Sequence, residues 1–64
     1  MRLSISVEYV PCNRYSGAGY KFEVLREEDN REVVLFASAT VYRSEREALR
    51  TAKDYVRRQY GVSI

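Results

Sequence analysis

The chain opens on strict alternation. Leu3, Ile5, Val7 and Tyr9 interleave with Arg2, Ser4, Ser6 and Glu8, the period-two pattern of a strand with one buried face. Pro11 lacks a ladder donor and ends that strand. Residues 11–19, Pro-Cys-Asn-Arg-Tyr-Ser-Gly-Ala-Gly, are dense in turn formers and read as a surface loop. A second strand follows, with Tyr20, Phe22 and Val24 on one face and Lys21 and Glu23 on the other. Glu27-Glu28-Asp29-Asn30 forms a charged turn in which Asn30 accepts a left-handed conformation. The third strand, roughly residues 31–42, carries the longest apolar run, Val33-Val34-Leu35-Phe36-Ala37.

The period then changes from two to 3.6. Ser44-Glu45-Arg46-Glu47 has the form of a capping box, in which Ser44 accepts from the Glu47 N–H and the Glu47 carboxylate reaches back. Ala48, Leu49, Ala52, Tyr55, Val56 and Tyr60 follow at helical spacing. Gly61 supplies a left-handed stop. Residues 44–61 therefore predict one capped helix.

Three consecutive strands and a helix predict an α+β fold, β-β-β-α: a three-stranded antiparallel meander with the C-terminal helix packed on one face. The helix needs an apolar bed, and Leu3, Ile5, Val7, Phe22 and Val24 offer it. On strand three, simple alternation points Val33, Leu35, Ala37 and Ala39 at the helix and Val34, Phe36, Ser38 and Thr40 away from it. Leu25, Val34 and Phe36 would then form an apolar patch on the open face, the expected dimer interface.

Size makes such an interface plausible on energetic grounds. A 64-residue chain is one small domain, and at that size only about 60% of the unfolded surface is buried. Disulfides, metals or oligomerisation usually supplement such a core. Cys12 is the lone cysteine and there is no histidine, so neither a disulfide framework nor a metal constellation is expected. No apolar run approaches the ~20 residues of a membrane span, and the start does not resemble a signal peptide. A lone thiol points to a reducing, cytoplasmic setting.

The stretch Lys21-Phe22, Asn30, Val33-Val34, Ser38, Tyr42, Ser44, Ala48 and Val56-Arg57 resembles the small bacterial YegP-type domain of unknown function, over about residues 21–57. The resemblance implies β-β-β-α repeats, a bacterial or phage-derived origin, and a habit of pairing that makes a single repeat a homodimer. It implies no catalytic residues. The chain departs from the family in having Arg31 after Asn30 and a larger loop from Cys12 to Gly19. The same order, with a Ser-x-x-Glu-Ala helix start, is also similar to the arm-binding domains of phage-type integrases, which read DNA with the sheet face. Glu8, Glu23 and Glu32 on the expected open face disfavour that mode here.

Candidate chemistry is sparse. Arg46, Arg50, Lys53 and Arg57 recur on the helix's outer side, and with Arg43 and Arg14 nearby they are the expected nucleic-acid contacts. A solvated face explains the stripe as well. The formal charge is only +2, and Glu47 and Asp54 stand at ion-pairing distance from Arg50, Arg57 and Arg58 along the helix. Tyr9, Tyr20, Tyr55 and Tyr60 fall at core-facing positions, Tyr42 can pack on the first helical turn, and Tyr15 alone is freer. The Gly17-Ala18-Gly19 segment lacks the lysine ending of a phosphate loop and precedes a strand. Cys12 has no histidine base, and Glu27, Glu28 and Asp29 share an exposed turn. Neither an enzyme nor a cofactor is expected. Self-pairing leads, and nucleic-acid binding is the alternative.

Overall fold

The computed structural model describes residues 2–12 and 17–64. Three strands, β1 (Arg2–Val10), β2 (Gly19–Glu28) and β3 (Arg31–Ala37), precede one helix, α1 (Glu45–Tyr60). The strands form an antiparallel sheet in the order β1-β2-β3. Asp29 and Asn30 both adopt positive φ, 50° and 64°, and make the two-residue turn whose twist matches that of the flanking strands.

α1 begins and ends where its capping residues stand. Ser44 has extended backbone, and its Oγ accepts from the Glu47 N–H at 3.1 Å. Among the described residues the return contact from the Glu47 carboxylate is not made, so the box is half closed. Gly61 takes φ 69°, and its N–H donates to the Arg57 carbonyl at 3.0 Å.

Ala48, Ala52 and Val56 recur every fourth residue and are buried, which sets the face that α1 turns to the sheet. Their small side chains let the helix lie close over β1 and β2. Phe22, Val24, Ala52 and Val56 are the centre of the core, with Leu3, Ile5, Val7, Phe36, Tyr42 and Tyr55 packed round it. Val24 and Val56 are fully buried, each stabilising the fold by about 1.5–2 kcal/mol through lost apolar surface.

Strand three does not keep simple alternation. Leu25 stands opposite Val34, but the next residue back along β2, Val24, stands opposite Phe36. Leu35 is therefore an extra residue, a β-bulge that resets the alternation. Val33, Val34 and Ala37 keep register positions opposite Arg26, Leu25 and Glu23. Phe36 is turned to the helix side, stacked on Tyr55 at 4.2 Å between centroids. The expectation that Phe36 lies on the open face with Leu25 and Val34 is thus corrected. Ala37 is exposed and Ser38 buried, the reverse of their expected faces.

β3 is also shorter than residues 31–42. The chain leaves the sheet after Ser38 and returns at Tyr42, which forms an isolated bridge with Tyr20. Ser38 closes the gap. Its N–H donates to the Phe22 carbonyl at 2.9 Å, and its Oγ accepts the Phe22 N–H at 3.1 Å. A side-chain oxygen here replaces the carbonyl a continuing strand would offer. Gly19 permits the return, because a Cβ there would stand 2.7 Å from the Tyr42 carbonyl oxygen.

Candidate functional site

The sheet face turned away from α1 follows from the register. Rows Arg2–Glu27–Glu32, Ser4–Leu25–Val34 and Ser6–Glu23–Ala37 cross it, with Glu8 beside Lys21. Val34 is 54% exposed and Leu25 is half-buried. With Phe36 turned inward, the expected interface of Leu25, Val34 and Phe36 is reduced to two aliphatic side chains among charges. The face is largely polar.

The sheet edges are a different matter. Tyr20 exchanges both backbone bonds with Tyr42, and both backbone groups of Phe22 face Ser38. Backbone groups alternate sides along a strand, so Gly19, Lys21, Glu23, Leu25 and Glu27 direct theirs at β1. Their partners are Val10, Glu8, Ser6, Ser4 and Arg2, with no register shift. The N–H and C=O groups of Leu3, Ile5, Val7 and Tyr9 therefore point outward, and no fourth strand takes them among the described residues. β1 is an unbroken edge of nine residues with neither bulge nor proline. β3, the opposite edge, has seven residues and the bulge at Leu35, and bulges blunt an edge.

α1 carries the second candidate surface. Arg46, Arg50, Lys53 and Arg57 are all exposed and fall within an arc of roughly 60° at 100° per residue. Asp54 pairs with Arg57 at 3.0 Å and with Arg58 at 3.1 Å. Arg43, Arg46, Arg50 and Lys53 enter no ion pair among the described residues; Glu47 does not reach Arg50. The local neutralisation expected from sequence is confined to the last turn. Arg50, Lys53 and Arg57, with Ser63 and Ile64 of the C-terminal tail, line a shallow groove of about 540 Å³. Arg14 and Tyr15 lie outside the described residues.

The aromatic side chains are mostly occupied with one another. Phe22 meets Phe36 and Tyr42 at 5.8 and 5.9 Å, and Tyr55 meets Tyr60 at 6.4 Å. Tyr42 packs on Phe22 of the sheet. Tyr9 touches Tyr20 edge-on at 5.5 Å yet is 57% exposed, because it stands at the margin of the core on the edge strand. Tyr60, 36% exposed and three residues beyond Arg57, stands about 20° round the helix from Lys53, so one ring borders the basic stripe at its C-terminal end.

Two other features offer little chemistry. A second groove of about 490 Å³ at the β2–β3 turn is lined by Glu27, Glu28, Asp29 and Glu32 with Arg2 and Arg31, which leaves it acidic, with the turn's carboxylates outnumbering its cations. Among the described residues, no group of three or more metal-ligating side chains is placed to hold a metal ion, and no helix is long and apolar enough to cross a membrane. Nothing in the sequence alone marks Arg2 and Glu8 as functional residues, because nothing local says which strand lies at the edge. No family model, curated protein or solved structure matches this chain.

Proposed function

We propose that this chain is a small non-enzymatic interaction module of the cytoplasm that works by pairing with a second copy of itself through its sheet. The observation that carries this reading is the outer edge of β1, nine residues long and regular, with four residues directing outward backbone groups that no strand takes among the described residues. Such an edge is a template for another strand. The thin core gives self-association an energetic reason, since among the described residues only Phe22, Val24, Ala48, Ala52 and Val56 are buried apolar side chains. The likeness to YegP-type repeats supports the same reading, and kinship with that family is proposed with it. Light scattering across a concentration series tests the proposal. Rising mass towards a dimer is expected, and a monomer at high micromolar concentration rejects it.

The unpaired cations of α1 support a second reading, in which the helix follows the phosphate backbone of a nucleic-acid duplex. Arg46, Arg50 and Lys53 enter no ion pair among the described residues, and their spacing of three and four residues advances about 4.5–6 Å along the helix. A stripe with one ring at its end, Tyr60, and none between its cations suits a duplex backbone better than unpaired bases, which need successive stacking surfaces.

A further inference from the structure

The residues of the free edge read symmetrically. Arg2-Leu3-Ser4-Ile5-Ser6-Val7-Glu8 is a pseudo-palindrome about Ile5: serine flanks it on both sides, an aliphatic residue follows on each side, and opposite charges end it. An antiparallel strand paired with its own copy sets residue i against j with a constant sum, so a palindrome makes each position meet its like or its complement. Resting on the self-association reading, we infer that two copies join β1 to β1 in antiparallel register centred on Ile5.

Backbone geometry agrees with that register. Leu3, Ile5 and Val7 are the residues whose backbone groups point outward, and centring on Ile5 sets Ile5 against Ile5 and Leu3 against Val7 of the second copy. These would be the hydrogen-bonded pairs, making about six interchain backbone bonds. Between them fall the close, non-hydrogen-bonded pairs, with Cα atoms about 4.5 Å apart. Ser4 there meets Ser6 of the second copy, and Arg2 meets Glu8, twice by symmetry.

Charge selects this register over its neighbours. Centring on Ser4 or Ser6 sets Arg2 against Ser6 or Val10 of the copy and leaves Glu8 without a cation. Within one chain both end charges have room for a partner. Arg2 approaches Glu27 only at 3.8 Å with its side chain 83% exposed, and Glu8 enters no ion pair among the described residues. Leu3, Ile5 and Val7 keep their side chains on the helix side, where they already pack on the core. The two-fold axis stands perpendicular to the sheet, so the joined sheet doubles the three strands and carries both helices on one face. Unlike β3, β1 offers no bulge to obstruct such a junction.

Sedimentation equilibrium of the whole chain tests this with Arg2→Glu, Glu8→Arg and the double exchange, each checked for folding by circular dichroism. Each single change sets like charges opposite at two symmetric places and should weaken the dimer about tenfold. The double exchange reverses both partners and should return the affinity to within about threefold of the parent. A dimer indifferent to all three changes overturns the β1 register while leaving self-association standing. A parent chain that stays monomeric at high micromolar concentration overturns both.

Discussion

The ring of Phe36 lies stacked on that of Tyr55, with centroids 4.2 Å apart and planes 22° from parallel. α1 itself lies over β1 and β2, so this aromatic pair is what ties the far strand to the helix. It exists because the bulge at Leu35 turns Phe36 inward.

Phe36→Ala should therefore act as a core substitution, lowering stability by about 3 kcal/mol. Val34→Ala, two residues away on the open face, should cost less than about 0.5–1 kcal/mol. Urea denaturation of the two variants decides the matter. Similar losses would mean that the bulge does not separate their faces.

Ser38 offers a sharper test of the strand's end. Its Oγ accepts the buried Phe22 N–H at 3.1 Å and donates to the Thr40 carbonyl at 3.2 Å. Ser38→Ala removes little volume but orphans that N–H, which should cost about 1–3 kcal/mol. Hydrogen exchange at the Phe22 amide should accelerate more than at Val24. Unchanged protection at Phe22 would show that another acceptor takes over.

Gly19 is required by space alone. A methyl group there would stand 2.7 Å from the Tyr42 carbonyl oxygen and 2.8 Å from the Val41 Cβ. Gly19→Ala should cost about 1–3 kcal/mol and disturb the Tyr20–Tyr42 bridge. Gly17→Ala is the control, since a Cβ at Gly17 meets nothing within 4 Å. Equal thermal midpoints for the two variants would contradict the close approach.

Asp54 makes the nucleic-acid reading testable in both directions. It holds Arg57 and Arg58, so Asp54→Asn frees two cations and removes one anion from the groove. Duplex affinity at low salt should rise several-fold, while stability falls by no more than about 1 kcal/mol from the loss of two exposed pairs. Arg50→Glu with Lys53→Glu should lose binding, and single neutralisations should each reduce the salt slope by about one. Fluorescence anisotropy with a short duplex measures all of these. Failure of the parent chain to bind at low salt ends this reading.

The order β-β-β-α and both ends of α1 were legible in the sequence, because they rest on local regularities. Alternation in Leu3 to Tyr9 makes a strand wherever it pairs, and Ser44 and Gly61 satisfy backbone groups only a few residues away. A turn ending at Asn30 was legible for the same reason, but Glu27 and Glu28, read as part of it, belong to β2, and only Asp29 and Asn30 turn. The face of Phe36 was not, because a bulge is a property of two strands and becomes visible only when Val24 and Leu25 take their partners. Nor was the freedom of Arg50 and Lys53, since Glu47 could have reached one of them and instead does not.

Sequence by itself determined the elements, their caps and the polar character of the exposed helix face, since each depends on near neighbours and on side-chain period. Tertiary structure alone decided which strand is the open edge, which residues face the core beyond the bulge, and where Ser38 and Gly19 let the chain leave and rejoin the sheet. The symmetric run from Arg2 to Glu8 was always present in the sequence. It acquires meaning only from the sheet order, because backbone groups are free to pair only where no neighbouring strand already holds them.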